Sequence, residues 1–158
     1  MLITSSPSGR ELIHPDVLLW AVWCLQQYAD TQGAEKCMQK YGSLIHDIMQ
    51  WLMEGKHPNL EIRPNGLVYS EGRDKAVTWM NSTDQVGRPF VPRTGYIVEF
   101  NALWYNALMF TAKLFANTAD TAFVQNLEMD ARVCADNFAP MFYNEFGYLC
   151  DYCVDGYR

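Results

Sequence analysis

Residues 78–108 read TWMNSTDQVGRPFVPRTGYIVEFNALWYNAL, and this stretch determines which fold we expect. Its first half is rich in Gly and Pro, which predicts a loop, and its second half carries apolar residues at helical spacing. Aromatic, amide, carboxylate and guanidinium side chains all occur along it. Sugars need this mixture, because their C–H faces stack on aromatic rings while their hydroxyl groups need polar partners. The stretch therefore predicts a loop and a helix beside a carbohydrate-binding cleft.

The composition of the chain is that of one folded domain. It has 158 residues, of which 49% are hydrophobic and 19% are charged, so it can bury a core. The formal net charge is -6, and the Lys and Arg residues are scattered along the chain. A nucleic-acid-binding surface normally carries a basic stripe, so we expect no nucleic-acid partner. A neutral polysaccharide is compatible with this acidic chain.

The cysteines do not indicate a disulfide framework or a metal centre. The chain has five, at positions without a repeating spacing: Cys24, Cys37, Cys134, Cys150 and Cys153. The last two form a lone C-x-x-C pair, and a zinc site would need two more ligands. We therefore expect reduced thiols in a cytoplasmic protein, with no metal and no cofactor. No signal peptide is evident, and no apolar run reaches the roughly 20 residues that cross a bilayer, so we expect no membrane partner.

Helical periodicity divides the chain into two helical hairpins. It predicts four helices, at about 16–31, 34–54, 97–117 and 121–138. Start and stop signals support the first helix, because Pro15 and Asp16 supply a start signal and Gly33 follows it. Between the two hairpins, frequent Gly and Pro leave room only for short strands such as 67–69. The sequence therefore predicts an all-α fold with long loops at one end.

The order of residues is similar to that of one family, the C-terminal amylo-α-1,6-glucosidase domain of glycogen-debranching enzymes. The resemblance rests on three motifs: Thr78-Trp79-Met80, Val91-Pro92-Arg93-Thr94-Gly95, and the run from Val98 to Leu108. Residues 16–20, 147–149 and 154–156 extend it over nearly the whole chain. It implies part of an (α/α)6 barrel, whose helix-joining loops form a sugar cleft. We therefore expect residues 1–158 to be a single partial domain of a longer enzyme, truncated at both ends.

The resemblance also implies an activity, the hydrolysis of α-1,6-linked glucose at branch points of glycogen or a related α-glucan. Inverting glycosidases use one carboxyl group as an acid and another as the base that activates water. Asn81 stands where the family carries its acidic aspartate, and an amide has no proton to donate. Asp84 is the possible substitute. The base is expected outside this chain, so the chain alone should be inactive.

Three other functions remain open from the sequence. A glucan-binding module without catalysis is favoured by Asn81. A trehalase- or invertase-like hydrolase would have the same fold. A plain helical interaction domain would leave the polar residues of the loop and helix unconnected by any cleft. In all but the last, the expected partner is a saccharide.

Polar residues of the matched motifs are candidates for binding sugar hydroxyl groups. Glu99 either binds a hydroxyl group or is a first-turn glutamate that favours the helix dipole. Arg93, on a loop constrained by proline and glycine, could bind two hydroxyl groups, hold Glu99, or be a solvated loop arginine. Asn101 and Asn106 are poor helix formers in an apolar segment, which indicates a specific hydrogen bond for each. We expect Arg93, Glu99 and Asn101 to bind substrate.

Aromatic residues are the candidates for stacking on glucose rings, although aromatic residues on helices are more often part of a core. We expect four of them to contact sugar: Trp20, Trp79, Trp104 and Tyr105. Trp104 and Tyr105 are adjacent, so on a helix they point about 100° apart and cannot both face one layer. Trp104 is therefore assigned to the cleft and Tyr105 to a mixed environment. Trp23 and Trp51 are assigned to the core.

Overall fold

Four helices make up most of the described chain. The computed structural model describes residues 14–71, 76–78 and 82–154. The helices are α1 (Pro15–Gln32), α2 (Ala34–Met53), α3 (Val98–Phe115) and α4 (Thr121–Phe142). The strands within these ranges are β1 (Glu61–Ile62), β2 (Val68–Tyr69), β3 (Tyr96–Ile97) and β4 (Tyr152–Cys153). The predicted, mostly helical fold is confirmed, and each predicted helix overlaps an observed one.

The fourth helix is longer than the sequence predicted. The predicted end at residue 138 is wrong, because α4 continues through Pro140 to Phe142. Proline has no backbone N–H to donate, but the N–H of Tyr143 closes the next turn by donating to the carbonyl of Ala139 (3.0 Å). The fully buried ring of Phe142 lies 4.8 Å from that of Phe138, centroid to centroid. This burial holds the last turn in place despite the proline.

The central helix of the fold is α3. It packs against α1, α2 and α4, while α1 also packs against α2. Nine of its 18 residues are buried, so α3 is covered on more than one side. The two predicted helical hairpins, α1 with α2 and α3 with α4, are therefore observed.

The two tryptophans assigned to the core have different environments. Trp51 is partly buried, and its ring centroid lies 5.2 Å from that of His57. Trp23 is 39% exposed, so its assignment to the core is wrong. Its neighbour Val22 belongs to the face of α1 that is buried, and the next residue points about 100° away from that face. The Trp23 ring instead forms a T-shaped pair with Trp20, at 5.7 Å.

Short strands connect the long loop before α3 with the segment after α4. β1 and β2 form an antiparallel hairpin, and β3 pairs antiparallel with β4. A bridge between Ser70 and Gly95 joins the hairpin to the start of β3. Gly95 has a φ of +92°, and a Cβ atom there would lie 2.3 Å from the carbonyl oxygen of Cys153. Only glycine fits this close crossing of the two segments.

Three loops share one hairpin geometry. They span residues 63–67, 84–88 and 144–148. In each, the N–H of the first residue donates to the carbonyl of the fifth, at 2.9, 2.8 and 2.9 Å respectively. The fourth residue is a glycine with a φ of +74°, +83° or +80°, and its N–H donates back to the first carbonyl. This is the geometry of a three-residue hairpin loop that ends with a glycine in the left-handed conformation.

None of the helices in the described ranges combines the length and the apolar character that crossing a membrane requires. The expected cytoplasmic location stays a prediction.

Candidate functional site

Arg93 lies at the centre of a cluster with two carboxylates. Arg93 is 3% exposed, and its two terminal nitrogens donate to the two carboxylate oxygens of Glu99. The Nη2 atom also donates to the Oδ1 atom of Asp151 (2.6 Å) and to its carbonyl oxygen (3.3 Å). We call Arg93, Glu99 and Asp151 the Arg93 cluster. One buried cation thus faces two carboxylates, and the cluster carries a net negative charge.

Local structure brings these three side chains together. Arg93 precedes the Gly95 crossing, and Glu99 lies in the first turn of α3. Asp151 comes directly before β4, and its carbonyl accepts the N–H of Val98 (3.1 Å) at the start of α3. The pairing of β3 with β4 therefore fixes the position of Asp151 relative to both other residues. The sequence left three roles open for Arg93; in the structure it is buried, not solvated, and it holds Glu99.

The guanidinium of Arg93 is a permanent cation. Burial lowers the pKa of Arg93, but the hydrogen bonds and charges of Glu99 and Asp151 outweigh this effect, and the net pKa is raised. The Nε atom of Arg93 is buried and has no hydrogen-bond partner among the described residues. The side chains of Glu99 and Asp151 are 23% and 53% exposed, so their carboxylates also reach solvent. Rigidly held, partly exposed carboxylates are suitable acceptors for hydroxyl groups.

Sequence reasoning did not identify Asp151. It is 58 positions away from Arg93, and no motif or spacing connects the two residues. The signal that could have found it is the extended segment after α4, if its pairing with the residues before α3 had been inferred. That pairing is long-range, and a single sequence does not reveal it.

Asn101 and Trp104 support the loop instead of facing solvent. Both are fully buried. The Asn101 side chain accepts the N–H of Val68 (2.7 Å) and donates to the carbonyls of Val68 and Ile97 (both 3.0 Å). The indole N–H of Trp104 donates to the carbonyl of Gly66 (3.2 Å). In this structure neither side chain has a surface that a sugar could reach, so we leave both out of the proposed contacts.

Trp20 and Tyr105 are the predicted stacking residues that the structure leaves accessible. They are 37% and 38% exposed, on α1 and α3, which pack against each other. Between these helices the side-chain amide of Asn106 donates to that of Gln26 (2.6 Å). Asn106 thus makes the specific hydrogen bond that its residue type indicated. Sugar stacking by Trp20 and Tyr105 stays a prediction.

Asp84, the possible substitute acid, stabilises a turn. Its Oδ1 atom accepts the N–H groups of Val86 and Arg88, both at 2.9 Å. In the hairpin of the same geometry at 144–148, Asn144 does the same for the residues two and four positions later. An amide oxygen is therefore sufficient for this task, and the turn explains Asp84 without catalysis. The other predicted loop residues, Trp79 and Asn81, lie outside the described residues.

A groove of about 400 Å³ lies elsewhere on the chain. Its lining residues come mainly from α2 and α4: His46, Gln50, Met53, Glu54, Asp120, Phe123 and Asn126. None of them belongs to the Arg93 cluster or to the stretch 78–108. Within the described ranges, no group of three or more His, Cys, Asp or Glu side chains could hold a metal ion. We therefore place the candidate site at the Arg93 cluster, where the residue types and the geometry agree.

One comparison with known families gave a match. A family model described as amylo-alpha-1,6-glucosidase matches residues 7–156. The chain belongs to this family. The amylo-α-1,6-glucosidase match includes all four helices and the Arg93 cluster. Searches of curated proteins and of solved structures found no match.

Proposed function

We propose that this chain is part of a glycogen-debranching glucosidase that removes α-1,6-linked glucose from branch points of glycogen or a related α-glucan. The observation that carries the proposal is the Arg93 cluster in a chain of the amylo-α-1,6-glucosidase family. A buried arginine that holds two partly exposed carboxylates is suited to binding a neutral polyol through its hydroxyl groups. No cofactor is needed for this chemistry.

In the proposed mechanism the Arg93 cluster binds the sugar, and a separate acid and base cleave the glycosidic bond. Glu99 and Asp151 accept hydrogen bonds from sugar hydroxyl groups, while Arg93 keeps both carboxylates in place. An inverting hydrolase also needs an acid and a base roughly 6.5–9.5 Å apart, on opposite faces of the sugar. The acid position is that of Asn81, and the base comes from residues outside 1–158. Glucose binding by the cluster is thus separable from bond cleavage.

The same residues favour a second candidate, an α-glucan-binding module that no longer catalyses hydrolysis. Asn81 keeps the shape and hydrogen bonding of an aspartate but cannot protonate a leaving group. Asp84 already accepts two backbone hydrogen bonds in its turn. A trehalase- or invertase-like activity in the same fold is the third candidate, and the choice of substrate distinguishes it.

We also propose that the four helices are part of an (α/α)6 barrel and that residues 1–158 form one partial domain. Exposed apolar side chains on the two helices that pack side by side support this: Val17, Trp20, Trp23, Tyr105 and Met109. Neighbouring helices of a closed barrel would cover such faces. An isolated chain with these faces uncovered should self-associate.

The test is glucose release from branched limit dextrin by the full-length protein, with trehalose and sucrose as control substrates. Glucan binding is measured in parallel for Glu99→Gln, with Asp84→Asn as a matched control that removes a carboxylate from a turn. We expect Glu99→Gln to weaken glucan binding and Asp84→Asn to leave it unchanged. Equal binding by both folded variants and the wild type would show that the Arg93 cluster is not the sugar site.

A further inference from the structure

The hairpin after α4 exposes four large apolar side chains. We call residues 143–149 the aromatic hairpin. Its exposed residues are Tyr143 (48%), Phe146 (75%), Tyr148 (72%) and Leu149 (50%). Large aromatic residues are mostly buried in folded proteins, and a group of them on one surface loop marks a binding surface more often than chance exposure.

The backbone that carries these rings is held in one conformation. The Oδ1 atom of Asn144 accepts the N–H groups of Phe146 and Tyr148, both at 3.0 Å. At the base, Tyr143 forms a bridge with Leu149. The two most exposed aromatic residues are therefore the two whose amides Asn144 holds. A pre-ordered loop loses little conformational entropy when it binds a ligand.

The turn itself does not require aromatic residues. The hairpin at 84–88 has the same hydrogen bonds, with Asp84 in the place of Asn144. Val86 there corresponds to Phe146, and Arg88 corresponds to Tyr148. An Asx residue and a glycine are sufficient for the geometry, so the aromatic side chains of 143–149 serve another purpose.

The aromatic hairpin is anchored beside the Arg93 cluster. The N–H of Cys150 donates to the carbonyl of Phe142 (2.7 Å), which closes the base of the hairpin. The next residue is Asp151, whose carboxylate and carbonyl both accept hydrogen bonds from Arg93. The base of the hairpin and the Arg93 cluster are therefore joined by consecutive residues, which keeps them close together.

We propose that the aromatic hairpin is a stacking platform for further glucose residues of an α-glucan chain whose end is bound at the Arg93 cluster, an inference that rests on the proposed function. Phe146 and Tyr148 stack on the apolar faces of glucose, as aromatic rings do in carbohydrate sites. Residues 143–149 include one charged residue, Glu145, and no Lys or Arg, so a neutral ligand fits better than an anionic one. The platform makes the protein select long chains over short ones.

The experiment compares binding of a short and a long α-glucan, maltose and maltoheptaose, by calorimetry with the full-length protein. The variants are Phe146→Ala and Tyr148→Ala, and the matched controls are Val86→Ala and Arg88→Ala at the corresponding positions of the hairpin at 84–88. We expect the two aromatic variants to bind maltoheptaose about tenfold more weakly, which is a large and easily measured change, and to bind maltose as the wild type does. The control variants should bind both sugars normally.

Three other results would contradict the proposed stacking platform. Normal maltoheptaose binding by Phe146→Ala and Tyr148→Ala leaves the proposed function intact but removes the platform. If the wild type binds neither sugar, the proposed function is contradicted, and so is the platform, which depends on it. Sedimentation analysis tests whether a second copy of the chain binds the hairpin instead. If the aromatic variants lose self-association and keep normal glucan affinity, the hairpin is a contact between copies of the chain.

Discussion

The Oδ1 atoms of Asp84 and Asn144 perform the same task in two hairpins of one geometry. Each accepts the backbone N–H groups of the residues two and four positions later, at 2.9 Å in the first hairpin and 3.0 Å in the second. One residue carries a carboxylate and the other an amide. The shared task therefore depends on an acceptor oxygen and not on a charge or a proton.

We predict that Asp84→Asn keeps stability and that Asp84→Ala lowers it. The alanine variant leaves two backbone N–H groups without their acceptor, which should cost about 1 kcal/mol in the free energy of unfolding because the loop is exposed. Urea denaturation of the two variants measures the difference. A loss of glucosidase activity in Asp84→Asn at unchanged stability would instead make Asp84 the catalytic acid.

Removal of the Arg93 guanidinium should be the most costly change in the cluster. Arg93→Met leaves Glu99 and Asp151 facing each other without the cation. Because both carboxylates are partly exposed, we expect a cost of about 2 kcal/mol, below that of a fully buried ion pair. Asp151→Asn should cost about 1 kcal/mol or less, because that side chain is half exposed and the amide can still accept a hydrogen bond. Thermal and urea unfolding provide the measurement. Arg88→Met, at an exposed arginine, is the control and should leave stability unchanged.

Stability should fall in mild acid because of His57. Burial lowers the pKa of His57 to about 4, and its Nδ1 atom accepts the N–H of Asn59 (3.0 Å), which requires the neutral ring. The pKa in the unfolded chain is about 6.5, so between these values the unfolded state binds more protons. The stabilisation is therefore complete above about pH 6.5 and is lost as the pH falls towards 4, by about 3 kcal/mol at most.

Denaturation of the wild type and of His57→Gln at about pH 7 and about pH 4.5 tests this linkage. The variant should lose less stability between the two conditions than the wild type. His46→Gln retains His57 and should keep the wild-type difference. Identical losses in the wild type and His57→Gln would mean that another group controls the acid sensitivity.

If the chain is the glucan-binding module, the second candidate above, Asn81→Asp should create or greatly raise hydrolysis of limit dextrin by the full-length protein. General acid catalysis is typically worth about 10²–10⁴-fold, and the Arg93 cluster that would position the sugar is intact. Asn126→Asp, which makes the same chemical change at an exposed position of α4, is the control and should not alter the rate. Activity that stays similar or falls in Asn81→Asp would mean that another group has taken the acid role. No change in either turnover or sugar affinity would place Asn81 outside the cleft.

The sequence predicted the parts of the fold that depend on neighbouring residues in the chain. The starts of α2 and α4 are where the predicted helices begin, at Ala34 and Thr121. The end of α4 was missed because the burial of Phe142 outweighs Pro140, and burial depends on the rest of the fold. The exposure of Trp23 was missed for a similar reason. Periodicity gives the spacing of apolar residues, but it does not show where the packed face of a helix ends.

The candidate site was predicted in part. The motif indicated Arg93 and Glu99, and the structure joins them. Trp104 and Asn101 belong to the same motif, but a polar or aromatic residue in a motif can support a loop from below instead of touching a ligand. Asp151 required the pairing of segments far apart in the chain. Local sequence thus indicated which residue types lie at the candidate site, but not the direction in which each side chain points.

The close crossing at Gly95 has a consequence for the order of folding. The segment that meets Gly95 ends at the carbonyl of Cys153, and Asp151 lies just before it. A ribosome makes the chain from its N-terminus, at about 5–20 residues per second, so the α1–α2 hairpin can form while the residues after α4 are still being added. The Arg93 cluster assembles only when those residues arrive. Until then β3, just before α3, has no β4 to pair with.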